Sequence, residues 1–177
     1  MQVNDQIKFG TDGWRAIIGD TYTFENLKIL AQATADYLGK GKSVVVGYDT
    51  RFMSDKFAQV VSDVLGNNGI KVVLSDRCIP TPALSFAAKT LHMDLGVMIT
   101  ASHNPAEYNG FKIKMPSGGA APVEVTKAVE ALLGKNAVAQ QSAEAIPVEK
   151  RDLSKDYVKF IRNYIDFKKI KNKKFRV

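Results

Sequence analysis

The chain has 177 residues, 45% of them apolar, with a net charge of +7. That is the size of one domain with enough apolar residues for a core, and it excludes a compositionally disordered segment. The charge surplus is confined to residues 151–177, which hold ten Lys/Arg against three Asp/Glu, while residues 1–150 hold fifteen of each; this argues against a nucleic-acid binder and for a solvated or interdomain surface at the end of the chain.

No apolar run approaches the ~20 residues that cross a bilayer. The first residues, MQVNDQIKFGTDG, lack the charged-then-apolar order of a secretory signal. The single cysteine, Cys78, cannot form an internal disulfide. A cytoplasmic protein with neither a membrane nor a nucleic-acid partner is therefore expected.

In chain order, residues 9–15, FGTDGWR, carry no core pattern. The spacing of Leu27, Leu30, Ala31 and Leu38 predicts a helix over 24–38, capped by Thr23 and ended by Gly39 and Gly41. Residues 43–48 contain Val44, Val45 and Val46, the pattern of a strand buried on both faces. A second helix opens at Ser54 or Asp55, with Phe57, Val60, Val61, Val64 and Leu65 in one stripe, and closes at Asn68-Gly69. Residues 70–74 read as another buried strand, and 82–89 as a short helix with Pro82 in its first turn. Residues 94–100 read as a third buried strand.

This β-α-β-α-β order predicts parallel strands joined by right-handed crossovers. A further strand, 109–115, follows too closely to cross over and is expected to run antiparallel. The fold class expected is α/β, three layers α/β/α around a mixed, mostly parallel four-stranded sheet with one antiparallel strand. A helix from Pro122 to Leu133, a solvated connection over 134–145 and a long amphipathic helix over 152–167 complete the reading. The apolar face of that last helix would hold Leu153, Tyr157, Phe160, Ile161, Tyr164 and Ile165. KKFRV resembles the first residues of a new strand. The expected organisation is one domain over 1–170, with 171–177 beginning a truncated second domain.

Ligands of open α/β sheets bind beyond the carboxyl ends of the strands. The loops that leave such ends are 49–51, 76–82 and 101–107. The last holds Ser102-His103-Asn104-Pro105, where an apolar run breaks before the apolar/polar alternation resumes with Lys112. No G-x-S-x-G elbow and no Walker-type glycine loop is present. A serine that carries a phosphoryl group needs a displayed hydroxyl, nearby cations and an acid/base; His103, Lys112 and Arg15 can supply the last two. A plain capped turn is the alternative for those four residues alone.

Taken together, FGTDGWR, GYDTR (47–51), TASHNP (100–105) and NGFK (109–112) resemble the N-terminal domain of the α-D-phosphohexomutases. That family includes phosphoglucomutase, phosphomannomutase and phosphoglucosamine mutase. The resemblance covers nearly the whole chain, in order. It implies that Ser102 carries the phosphoryl group and, through it, helps bind Mg2+. It implies that His103 contacts substrate or phosphate, that Lys112 does general acid/base work and that Arg15 assists beside the phosphoserine. Thr11, Gly13 and Arg51 are implied to line or brace the substrate site; Asp49 would brace Arg51. His92 matches no motif of the family, and Cys78 is expected to be structural.

The implied activity is that of an intramolecular phosphotransferase, an isomerase moving a phosphoryl group between O1 and O6 of a hexose phosphate through a hexose 1,6-bisphosphate. The chain departs from the family in lacking an acidic D-G-D-x-D-R metal loop. The carboxylates for Mg2+ are therefore expected from a domain outside this chain, the partners being the remaining domains of the same enzyme and its hexose phosphate. The 177 residues alone are expected to be inactive. The alternative is a non-catalytic phosphosugar-binding or interaction module on the same fold.

Overall fold

The computed structural model describes residues 7–10, 13–141, 145–171 and 173. The elements run β1 (Trp14–Ile17), α1 (Phe24–Leu38), β2 (Ser43–Tyr48), α2 (Ser54–Asn67), β3 (Lys71–Ser75), α3 (Thr81–Thr90), β4 (Leu95–Ile99), β5 (Tyr108–Lys114), α4 (Val123–Glu130), β6 (Glu149–Arg151), α5 (Ser154–Tyr164) and α6 (Phe167–Lys171). Thr23 caps α1 as expected, its hydroxyl accepting from Asn26 N at 3.2 Å. No helix among the described residues is long and apolar enough to cross a membrane.

The three-layer α/β/α class holds, but the sheet has six strands rather than four, in the order β1-β5-β4-β2-β3-β6. β2 pairs in parallel with both β3 and β4, and β6 adds in parallel to β3. β5 is antiparallel to β4 and to β1, so it alone opposes the other strands. The chain passes from β2 out to β3 and then back to β4 on the other side of β2. The crevice at the carboxyl ends of β2 and β4 is thus the switch point where such sheets take ligands.

Side-chain alternation sorts the sheet into two apolar layers. Val44, Val46, Val72, Leu74, Leu95, Val97 and Ile99 pack with α1, α2 and α4 on one face. Val45, Val73 and Met98 pack with α3 and with Leu153 on the other. Along β5, Phe111 and Ile113 belong to the first layer. Lys112 and Lys114 therefore fall on the second face, and both are buried, at 3% and 8% exposure.

Three readings need correction. Residues 9–15 do contribute to the core: Trp14 is buried and stacks on the buried Tyr22 at 4.9 Å. The expected helix over 152–167 breaks at Ile165, and its apolar face is only partly covered. Leu153 is buried and Phe86 meets Tyr157 and Phe160 at 5.9 and 5.0 Å, but Phe160 and Tyr164 stay 46% and 79% exposed. The ten-residue α3 is too short to shield more of it. The third correction is β6, three exposed residues between the expected connection and the expected last helix, a stretch to which the sequence pattern assigns no element. The boundary expected at 170/171 falls inside α6, and residues 174–177 lie outside the described ones.

The amino end of the parallel ladder carries a polar tie. Asp94 accepts from Ser43 N at 2.9 Å and Ser43 Oγ at 2.8 Å, with Lys42 Nζ 3.1 Å away. The Ser43 hydroxyl, more than Lys42, holds the carboxyl below its usual range against the opposing effect of burial. A depressed folded value stabilises above the unfolded pKa of about 3.9 and is lost as pH falls through the folded one. Urea midpoints followed from pH 6 to pH 2 should therefore drop less steeply in Asp94→Asn than in the wild type; parallel curves would remove this tie from the acid response.

Candidate active site

The loop after β4 begins with a reversal at Ser102, a non-glycine residue at φ 56. For an L-residue the left-handed region costs about 1–2 kcal/mol, so something must hold it. Ser102 N donates to Thr100 Oγ1 at 2.9 Å, and Ser102 O accepts from Arg51 Nη2 at 2.7 Å. The consequence is a hydroxyl turned back over β5, where Lys112 Nζ donates to Ser102 Oγ at 2.8 Å.

Arg51 organises the rest of the loop. Its Nη2 also donates to Asn104 O at 2.6 Å, and its Nη1 to Pro105 O at 2.8 Å and Tyr108 O at 3.0 Å. Nε lies 3.4 Å from Asp49 Oδ2. Both terminal nitrogens are occupied by backbone carbonyls, so Arg51 moulds the loop rather than offering donors to a ligand. Asp49 braces it as expected, also accepting from Arg51 N at 3.0 Å.

Arg15 reaches the same loop from β1. Its Nη1 donates to Asn104 Oδ1 at 2.7 Å. Residue 110, its partner across the β1–β5 ladder, is glycine, which leaves room for both neighbouring strands and for the Arg15 stem: a Cβ there would stand 2.6 Å from Thr100 O, 2.7 Å from Trp14 O and 3.1 Å from Arg15 Cγ. Gly13 has a matching role over Lys112. Its φ is +95, and a Cβ would lie 2.6 Å from Phe111 O and 2.7 Å from Lys112 Cγ. Gly13, whose carbonyl accepts from Gly10 N at 3.0 Å, therefore rests directly on the lysine stem.

The fold thus brings Ser102, Lys112, Arg15, Arg51 and Gly13 to one place. His103 is exposed on the loop beside Ser102. Thr11 lies outside the described residues. His92 and Cys78 are both exposed. Asn104, Ser54 and Asn109 were missed by sequence reasoning. Asn109 left a signal: it alternates with Phe111 and Ile113, so it occupies a core-facing position, and a buried amide must have partners.

Chemically, a serine hydroxyl sits against one lysine, on a loop held by two arginines, one through backbone carbonyls and one through an asparagine. Such a site suits a dianionic group on Ser102, with charge-assisted hydrogen bonds to neutralise it. The described residues do not by themselves fit a magnesium ion. They contain no group of three or more His, Cys, Asp or Glu, and Asp49 is already engaged by Arg51 and by Ser54 Oγ at 3.0 Å.

Comparison with known proteins gives a consistent picture. Residues 6–140 match the family described as phosphoglucomutase/phosphomannomutase, alpha/beta/alpha domain I. A phosphoglucosamine/phosphogalactosamine mutase of Sulfurisphaera tokodaii is 36% identical over 172 residues, 96% of this chain and 38% of that protein. A phosphoglucomutase of Staphylococcus saprophyticus is 43% identical over 122 residues, 64% of this chain and 22% of that one. Among solved structures, a Thermus thermophilus protein assigned as a phosphomannomutase superposes with a TM-score of 0.84 at 42% identity, covering 92% of this chain and 37% of its own. A phosphoglucomutase/phosphomannomutase family protein of Burkholderia thailandensis gives 0.75 at 25% identity, covering 93% and 36%. The chain therefore spans 22% to 38% of the length of these relatives.

Proposed function

Since this chain belongs to the phosphoglucomutase/phosphomannomutase family, we propose that it is the phosphoserine domain of a phosphohexomutase, with Ser102 as the phosphoryl carrier. The contact between Lys112 Nζ and Ser102 Oγ at 2.8 Å carries this reading. A lysine within hydrogen-bond reach of the serine oxygen can serve both halves of a transfer. As the Ser102 O–P bond breaks and the free hydroxyl of a hexose phosphate forms a new O–P bond, Lys112 Nζ takes the hydroxyl proton and gives one to the departing Ser102 Oγ, which leaves the lysine as it began. The product is a hexose 1,6-bisphosphate, and return of its other phosphoryl group to Ser102 completes the movement between O1 and O6.

Arg15 and Arg51 add positive charge around the group in transit, and the clamped loop supplies orientation. Most of the rate in such transfers comes from positioning and charge neutralisation. Magnesium, when bound, offsets the charge of the transferring group; its carboxylate ligands would come from outside the described residues. On this reading His103 is a substrate or phosphate contact, and the 177 residues alone do not sustain isomerisation. The bound sugar and the remaining domains of the same cytoplasmic enzyme are the partners.

The test is mass spectrometry of the full-length gene product after incubation with glucose 1,6-bisphosphate and Mg2+. One added phosphate, mapped to Ser102 and absent from Ser102→Ala, is expected. No phosphate on the wild type would point instead to a non-catalytic phosphosugar-binding module. Sustained conversion of glucose 1-phosphate to glucose 6-phosphate by the isolated 177 residues would refute the requirement for further domains.

A further inference from the structure

Two buried polar residues have no place in the chemistry just described. Ser54, at the start of α2, is 1% exposed, and Asn109, on β5, is fully buried. Neither hydrogen-bonds to Ser102 or Lys112. They do form the far side of a closed circuit. Asn109 Nδ2 donates to Ser54 Oγ at 2.9 Å, and Ser54 Oγ donates to Asp49 Oδ1 at 3.0 Å. Asp49 holds Arg51, Arg51 holds the carbonyls of residues 102, 104, 105 and 108, and Lys112 reaches Ser102 Oγ from the same strand as Asn109.

The proton count leaves little freedom. A hydroxyl has one proton. Ser54 gives it to Asp49, so what it receives must come from a donor at position 109. Asn109 Oδ1 accepts from Gly110 N at 2.8 Å, which orients the amide with its NH2 toward Ser54. An aspartate at 109 would set two carboxylates on a single hydroxyl proton in a buried place, which is costly.

We propose that Ser54 and Asn109 are positioning residues for phosphoryl transfer. Through Asp49 and Arg51 they register the Ser102 loop on the strand that carries Lys112, and so set the distance between the two reacting groups. This rests on the reading of Ser102 as the phosphoryl carrier. Misplacing a reacting atom by about an ångström costs up to a hundredfold in rate, so a partial loosening should be visible in the transfer itself.

The experiment uses Ser54→Ala, Ser54→Thr and Asn109→Asp with two readouts. Hydrogen exchange on the 177-residue chain reports local opening of residues 102–108 relative to β2 and β3. Single-turnover transfer from glucose 1,6-bisphosphate to Ser102, in the full-length gene product, reports the chemistry. In Ser54→Ala, exchange in 102–108 should rise about tenfold with β2 and β3 unchanged, and transfer should fall about tenfold at unchanged half-saturating donor concentration. Ser54→Thr, which keeps the hydroxyl, should recover most of both. In Asn109→Asp the loss should deepen with rising pH as the new carboxyl ionises, a dependence that Ser54→Ala does not show. Wild-type exchange and transfer in Ser54→Ala and Asn109→Asp would overturn the proposal, as would a Ser54→Thr as impaired as Ser54→Ala. If the wild type takes up no phosphate, the carrier reading fails, and the exchange data still decide whether the circuit holds the loop.

Discussion

Lys112→Met lowers phosphoryl transfer to Ser102 by about a hundredfold or more and leaves the fold standing. The size follows from what one placed proton donor and acceptor contributes, about 10²–10⁴ in rate. The lysine is 3% exposed, and its Nζ meets the serine oxygen at 2.8 Å. Methionine keeps most of the stem against the sheet and deletes the nitrogen. Burying a polar nitrogen has a desolvation cost that methionine does not carry, which offsets the lost hydrogen bond, so the melting temperature should stay near that of the wild type. Single-turnover kinetics and calorimetry on the same variant separate the two effects. Transfer within threefold of wild type would remove Lys112 from the chemistry, whatever became of stability.

Gly13→Ala should be among the most damaging changes of one methyl group. The new Cβ would stand 2.6 Å from Phe111 O and 2.7 Å from Lys112 Cγ, on a backbone already at φ +95. Left-handed strain of about 1–2 kcal/mol and overpacking of about 1–3 kcal/mol together predict a melting temperature lower by about 5–15 °C in a domain of this size. Gly19→Ala is the control, since Gly19 has φ +84 but nothing within 4 Å of its added Cβ. It carries the strain without the collision. Equal losses in the two variants would show that the contact with the lysine stem is not what matters. A larger loss at Gly13, with transfer impaired beyond what stability explains, would show that the close approach of Gly13 presses Lys112 into place.

The elements that sequence revealed well are those whose side chains say what they touch. Val44, Val45 and Val46 are apolar on both faces because both faces are covered. The stripe of Phe57, Val61, Val64 and Leu65 is one helix surface on one sheet. The elements it hid are held by backbone. β6 is Glu-Lys-Arg, wholly exposed, and joins β3 through ladder hydrogen bonds that no side-chain pattern reports. β1 is four residues long, too short for a period to emerge, and its one strong clue, Trp14, stands among glycines. The stripe on α5 is apolar as expected, but periodicity tells which way a helix faces and not whether anything lies opposite. The candidate site divides in the same way. Ser102, Lys112 and Arg15 stand in recognisable short strings. The grip of Arg51 lands on four carbonyl oxygens, which every residue possesses, and so leaves no trace in residue identity.

The single reversed strand has a bearing on how this domain tolerates change in length. β5 lies between two neighbours of opposite sense to itself, with Met98 facing Lys112 and Phe111 facing Trp14. A slip by one step would invert its pleat, swinging the lysine nitrogen into the aliphatic layer and a phenyl ring out toward the serine. Residues 101–107 therefore work as a spacer of set gauge: exchanging one side chain for another there is a local matter, whereas deleting or inserting one would mis-thread the whole ribbon.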